Sequence, residues 1–337
     1  MTETPPEALT ARPRLGFLGV GWIGRHRMKA ILNTGTIEIA AIADPSREMV
    51  AEAGRLAPDA KLVATLDDLL DLGVDGVVIA SPSAMHADQS IRSLERGAAV
   101  FCQKPLGRTA VEVRAVVDAA RAADRLLGVD LSYRFTEGMR RIREVVRSGE
   151  LGRIYAVDLV FHNAYGPDKP WFYDPALSGG GCMMDLGVHL VDLALWTLDY
   201  PEVSAVSGKL FAGGVPLDKR SNRVEDYAVA TAELETGATV RLACSWRLNA
   251  GCDAMISAAL YGTDGGVALR NVDGSFYDFI AERYRGTARE TLTTPPDEWG
   301  GRAAVDWAAR LAAGERFAPE AERLVDIARV LDRIYGR

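Results

Sequence analysis

The chain has 337 residues, 48% hydrophobic and 25% charged, the balance of an ordinary globular protein long enough for two domains. Its 39 basic and 46 acidic residues leave a net charge of -7, which excludes a general nucleic-acid binder built on a basic face. The four cysteines, Cys102, Cys182, Cys244 and Cys252, include no Cys-x-x-Cys pair, so neither a disulfide framework nor a zinc-ligand set is expected.

Residues 1–12 carry two prolines and two glutamates but no apolar core, unlike a secretory signal, and are expected to form a disordered leader. No apolar run reaches the roughly 18 residues that span a bilayer. These features predict a cytoplasmic protein with reduced thiols and no nucleic-acid or membrane partner.

Residues 14–20 read as a buried strand, 22–33 as a helix, 36–44 as a second strand and 46–56 as a second helix. Strands at 61–64, 74–80, 98–102 and 126–131 then alternate with helices at 85–96 and 109–123. This rhythm predicts βαβ units around a parallel sheet covered on both faces. It changes after residue 133. An amphipathic helix at 137–148 leads to a strand at 154–163 and a helix carrying residues 185–189. Strands at 203–211, 226–235, 238–246, 255–261 and 267–271 follow, with hairpin turns at Thr236-Gly237 and residues 262–266. Helices at 302–313 and 319–335 close the chain. The reading is α/β: a doubly wound Rossmann domain over 13–133, then an α+β domain over 134–337 with an open, mainly antiparallel sheet. Arg140, Arg141 and Arg143 read as a solvated helix face.

Gly19-Val20-Gly21-Trp22-Ile23-Gly24 has the G-x-G-x-x-G spacing between a predicted strand and a predicted helix. Gly19 permits the tight turn, Gly21 lets the backbone approach a pyrophosphate, and Gly24 lets helix and strand pack closely. Trp22 and Ile23 open the helix whose free N–H groups face the phosphates. Asp44, 20 residues beyond Gly24, can accept hydrogen bonds from an adenosine ribose and repel a 2′-phosphate, which favours NAD. Arg47 is close enough to neutralise that phosphate, so NADP stays open. Ser81-Pro82 ends the strand at 74–80, on the edge where such sheets bind ligands. His86 either lines that cleft or serves as a hydrogen bonder at its helix start.

Gln103-Lys104-Pro105 ends the next parallel strand and places a cation where a substrate hydroxyl can be held. Farther on, Gly179-Gly180-Gly181 precedes Asp185 and His189. Their i, i+4 spacing sets both on one helical face, where a carboxylate favours the protonated imidazole and suits it to accept a proton.

These motifs, in this order, resemble the glucose-fructose oxidoreductase / inositol dehydrogenase / rhizopine-catabolism (Gfo/Idh/MocA) family. The glycine fingerprint, the Lys-Pro turn and the Gly-Gly-Gly-x-x-x-Asp-x-Gly-x-His element all match. So do Tyr133-Arg134-Phe135, residues 149–154, and Trp171 with Asp174-Pro175. The resemblance implies that Lys104, Asp185 and His189 form the catalytic group around a nicotinamide ring. His189 would accept the proton of a secondary alcohol, Asp185 would raise the basicity of His189, and Lys104 would orient the reacting oxygen. It implies a sugar or cyclitol substrate, bound by Lys104, Asp185 and His189, and a homodimer or homotetramer. The last helix would pack back toward the first domain. Two rivals share the fold: a hydrolase that oxidises its sugar transiently, and a non-catalytic dinucleotide sensor. Gln103 departs from the family's glutamate, and Ser83 from its asparagine.

Trp171, with Phe172 and Tyr173, offers an aromatic wall beside a sugar ring. Asp192 is expected either to bind substrate or to lie on the surface, His162 to be a satisfied polar residue, and Arg134 to form a salt bridge. Asp185 and His189 lack a third clustered ligand, so no metal is expected.

Overall fold

The computed structural model describes residues 12–218 and 221–337, so the expected leader, apart from Arg12, lies outside the described residues. The first half builds β1 (Arg14–Leu18), α1 (Trp22–Leu32), β2 (Glu38–Ala43), α2 (Arg47–Leu56), β3 (Lys61–Val63) and α3 (Leu66–Leu70). It continues with β4 (Gly76–Ile79), α4 (Ser83–Glu95), β5 (Ala99–Cys102), α5 (Ala110–Ala123) and β6 (Leu127–Val129). All six strands pair in parallel in the order β3-β2-β1-β4-β5-β6. Every residue of β4 and β5 is buried, as expected of strands covered on both faces. The order reverses direction between β1 and β4, and such a switch point opens a ligand crevice at the carboxyl ends of the strands.

The sequence reading passed over α3, whose five residues are too few to show a period. Its signal was local: Thr65 and Asp68 form a reciprocal capping box.

A 3₁₀ turn (Ser132–Phe135) leads into α6 (Glu137–Ser148), β7 (Ile154–Asn163), α7 (Pro175–Ser178) and α8 (Val188–Thr197). Then come β8 (Val203–Ala212), β9 (Val215–Pro216), β10 (Tyr227–Leu234), β11 (Thr239–Ser245), β12 (Ala254–Gly262), β13 (Gly266–Asn271), β14 (Phe279–Arg285) and β15 (Ala288–Thr293). These strands form one sheet, β15-β14-β13-β12-β7-β11-β10-β8-β9, antiparallel except where β7 meets β11. Helices α6 and α8 cover one face. The strands β9, β14 and β15 were not anticipated: β9 has only two residues, and β15 is a largely exposed edge strand without alternation. Of the basic cluster, Arg141 pairs with Glu144, and Arg143 pairs with Asp199 and lies 4.3 Å over the Trp196 ring. Among the described residues no helix is long and apolar enough to cross a membrane.

The closing helices, α9 (Arg302–Ala312) and α10 (Arg323–Tyr335), return to the first sheet. α10 packs among α5, α8 and β8, so it touches both halves of the chain. α9 lies against α1, β5 and β6, with Ala303, Ala304, Trp307 and Ala308 in one core with Leu15, Phe17 and Ile42. The indole of Trp307 is 5.6 Å from the Phe101 ring, and two glycines make room for it. A Cβ on Gly128 would lie 2.7 Å from that indole and one on Gly76 2.9 Å. Removing so large a buried side chain leaves a cavity its rigid neighbours cannot fill. Trp307→Ala should therefore lower unfolding stability by about 3–5 kcal/mol, read as a shift of the urea midpoint; an unchanged midpoint would mean α9 is not part of this core.

Candidate active site

The glycine loop between β1 and α1 is shaped by contact. Gly19 has φ +84°, and a Cβ there would lie 2.6 Å from the Ala80 backbone; a Cβ on Gly24 would lie 2.2 Å from the Gly19 carbonyl oxygen. Gly21 faces open space, the cradle a pyrophosphate needs. No acidic residue sits in the first turn of α1 and no side chain caps it, so the N–H groups at Trp22 and Ile23 are free for an anion. Trp22 is 62% exposed and packs its ring 5.5 Å from that of His26. The residues present therefore fit a dinucleotide. Asp44 directly follows β2, and its two carboxylate oxygens accept from the N–H of Val20 at 2.7 Å and of Ser46 at 2.8 Å. It thus holds the glycine loop to the start of α2, while Arg47 is exposed there.

Ser81 and Pro82 lie at the end of β4, against Gly19, and the Ser81 hydroxyl donates to Gln89 Oε1 at 2.5 Å. His86 makes hydrogen bonds through both ring nitrogens, in keeping with the hydrogen-bonding role read for it. It is 1% exposed, with Nδ1 2.7 Å from the Pro105 carbonyl oxygen and Nε2 2.7 Å from that of Ser81. It ties the loop after β4 to the loop after β5.

From the end of β5, Lys104 crosses to the second half of the chain. Its ammonium donates to the Asp185 carbonyl oxygen at 2.7 Å and to Asp185 Oδ1 at 2.5 Å. The other oxygen of Asp185 accepts from the Trp246 indole N–H at 3.0 Å. Asp185 sits in a π-helical turn, Met183–Gly187, just before α8. The wider turn is held by Glu225, which accepts from Gly181 N at 3.0 Å, Met183 N at 2.9 Å and the Tyr335 hydroxyl at 2.7 Å. A Cβ on Gly181 would lie 1.9 Å from the Glu225 carbonyl oxygen, which explains that glycine.

The π-turn alters the expected partnership. Asp185 and His189 were read as neighbours on a regular helix, with the carboxylate raising the imidazole's basicity. Asp185 is instead engaged by Lys104 and Trp246. His189 is buried, Nδ1 has no hydrogen-bond partner, and its ring lies 4.9 Å from Tyr133, edge to face. Burial first, then the charges of Lys104 and Arg27, hold His189 well below the usual imidazole range. Desolvation and two cations favour its neutral form, and no carboxylate opposes them.

Trp171 stacks on Phe172 at 3.8 Å, and Phe172 and Tyr173 pack edge-on against Trp246, so the aromatic wall continues into the support of Asp185. Asp192 neither binds in the cleft nor lies on the surface: it is buried and paired with Arg134, which also donates to the Tyr200 hydroxyl. His162 is the satisfied polar residue expected, 2.8 Å from the Ser245 hydroxyl. Glu225, Trp246 and Tyr133 were missed as site residues. No local motif marks the first two; Tyr133 stood in a segment noted only for its resemblance.

Residues 14–131 match the oxidoreductase family's NAD-binding Rossmann fold, and residues 139–268 match the GFO/IDH/MocA C-terminal domain. The rhizopine catabolism protein MocA of Rhizobium meliloti is 34% identical over 212 residues, 61% of this chain and 65% of its own length. The D-glucoside 3-dehydrogenase of Escherichia coli K12 is 28% identical over 278 residues, 78% of each chain. Among solved structures, levoglucosan dehydrogenase in complex with NADH superposes with TM-score 0.82 at 21% identity, over 96% of this chain and 95% of that one. GenD2 from gentamicin A biosynthesis, in complex with NAD, gives 0.80 at 22% identity over 99% and 96%. The chain belongs to the Gfo/Idh/MocA family of oxidoreductases, and its first domain is an NAD-binding Rossmann fold.

All four histidines of the chain, His26, His86, His162 and His189, are held below their usual 6.5, burial being the first cause in each. The unfolded chain therefore takes up protons that the folded one refuses. Stability rises with pH between the depressed values and 6.5, and is lost on acidification through that window. The urea midpoint should fall between about pH 7.5 and about pH 5.5, and fall less steeply in His189→Gln. A midpoint flat across this range would contradict the lowered proton affinity of these rings.

Proposed function

We propose that this protein moves a hydride between a nicotinamide cofactor and a secondary hydroxyl or ketone of a sugar, cyclitol or related polyol. The observation that carries the reading is Lys104, just past the carboxyl end of β5 and anchored by Asp185, acting with its charge on His189 of α8. Bound NAD supplies the hydride acceptor. An ammonium has three N–H donors, and two go to Asp185, which leaves one for the reacting oxygen. Lys104 thereby orients that oxygen and stabilises negative charge growing on it. His189 takes the hydroxyl proton, and Asp185 keeps the lysine in place. Trp171 lines the sugar face of the cleft. The relatives named above, a glucoside dehydrogenase and a levoglucosan dehydrogenase, support a polyol of this class.

Asp44, at the end of β2, favours NAD, with Arg47 the feature that admits NADP. The uncovered face of the second sheet exposes Tyr155, Met255 and Tyr261, and we assign it to a homodimer or homotetramer contact. A cytoplasmic location accords with the free thiols.

Sugars, cyclitols and nucleotide sugars assayed with NAD and with NADP, following reduced nicotinamide, test this. His189→Ala should lose about 10²–10⁴-fold in kcat/KM, the worth of a positioned general base. Lys104→Ala should lose at least a comparable amount. Retained turnover in both variants would remove the proposed mechanism. Asp44→Ser should narrow the preference for NAD over NADP, and an unmoved preference would reject that role.

A further inference from the structure

Gln103 ends β5 beside Lys104, with 9% of its surface exposed. Its Nε2 donates to Asp130 Oδ2, and the same oxygen accepts from Arg27 Nε at 2.6 Å. Arg27 and Asp130 form an ion pair between α1 and the end of β6, with side chains 7% and 1% exposed. A carboxylate has no hydrogen to give, so it accepts only the NH₂ end of the Gln103 amide. The carbonyl end, Oε1, is thereby turned the other way. It meets no partner among the described residues and, unlike Asp130 Oδ1, is not sealed from solvent.

We propose that Asp130, held by Arg27, is a positioning residue that fixes the polarity of the Gln103 amide, so that Oε1 faces the cleft as a neutral acceptor for a ligand hydroxyl next to Lys104. The hydroxyl belongs either to a ribose of the dinucleotide or to the polyol. The inference rests on the oxidoreductase reading and adds a specificity element to it. It also explains why an amide stands at 103. A second carboxylate there would face Asp130 across a single arginine, and like charges so close oppose one another. Asp130 supplies the negative charge one strand away, where Arg27 neutralises it. Gln103 passes the orientation on without carrying charge into the cleft.

The test uses the full chain and two readouts: NADH affinity by fluorescence titration with no sugar present, and KM for the polyol that is turned over. Gln103→Met removes the acceptor and leaves the Arg27–Asp130 pair intact. It should weaken one of the two by about five- to tenfold, the order of one hydrogen bond. A loss in NADH affinity assigns the hydroxyl to the cofactor, a loss confined to KM assigns it to the polyol. Arg27→Met with Asp130→Leu replaces the ion pair by apolar groups and frees the amide to turn, so it should show the same loss. Added to Gln103→Met, that pair of changes should cost little more, because Asp130 acts through Gln103. The proposal is overturned if Gln103→Met leaves both readouts within about twofold of the unaltered chain. It is overturned equally if the Arg27/Asp130 changes weaken binding as much with Met at 103 as with Gln. Should the double change fail to fold, Gln103→Met decides alone. NADH binding needs no sugar, so a chain that binds NADH and oxidises none of the sugars fails the substrate reading and not this one.

Discussion

The bond from Lys104 to Asp185 is the contact on which the rest of the site depends. It joins the end of a strand in the first sheet to the turn that opens α8 in the second half, with both side chains mostly shielded. Desolvating two charges is costly, and such a pair holds only where its remaining hydrogen-bonding capacity is met. On the side of Asp185 it is met, and the lysine keeps one N–H open toward the cleft. Trp246 fills the second oxygen of Asp185, and Glu225 holds the backbone of the turn from which Asp185 projects. Tyr335, near the end of the chain, bonds to Glu225 in turn. The geometry of one lysine therefore rests on residues from the end of β5, the π-turn, the entry to β10, the exit of β11 and the last helix.

The charges around the cleft come in compensated pairs. Lys104 is matched by Asp185 and Arg27 by Asp130, while His189 and Gln103 are neutral between them. Buried unpaired charge is what a protein interior tolerates least, and each cation here has its carboxylate within direct contact. His189 is nonetheless influenced more by the cations, because the carboxylates point their oxygens at the lysine and arginine. This is why the simple expectation of a carboxylate-assisted histidine fails. Spacing along a helix names which residues are near, but not which partner a carboxylate will choose when a lysine from another sheet competes for it.

Much of the fold was legible because it is written in local periods. Gly76-Val77-Val78-Ile79 announces a strand covered on both faces, and Gly19, Gly21 and Gly24 announce a loop whose contacts forbid a Cβ at two of the three. The hairpins at Thr236-Gly237 and at residues 262–266 were marked by their glycines, and both join the strands expected. Lys104, Asp185 and His189 stood out by type and order. What stayed hidden was long-range. Glu225 is 44 residues from the backbone it holds, Trp246 is 61 from its carboxylate, and Asp130 is 27 from its amide. The π-turn was invisible for a different reason. Gly187 packs closely on Met183 and the Glu225 carboxylate accepts from the Met183 N–H within it, and neither contact alters the Asp-x-x-x-His spacing.

A depressed His189 has a consequence for the chemistry proposed. As a base it is weak, but it is unprotonated at neutral pH and so ready to take a proton from an alcohol. Once protonated it would be a stronger acid than a free imidazolium, disfavoured by burial and by Lys104 and Arg27, and suited to return the proton to a ketone oxygen. Bound NAD would supply the hydride acceptor, and because reduction removes one positive charge from it, the proton taken up by His189 would leave the total charge of the cleft unchanged. Paired side chains that carry no net charge then have little reason to rearrange, and a polar site that need not reorganise is the one that best stabilises a transition state. In the proposed reaction the ion pairs would serve by holding still, while the proton that moves would be carried by His189, whose Nδ1 has no partner.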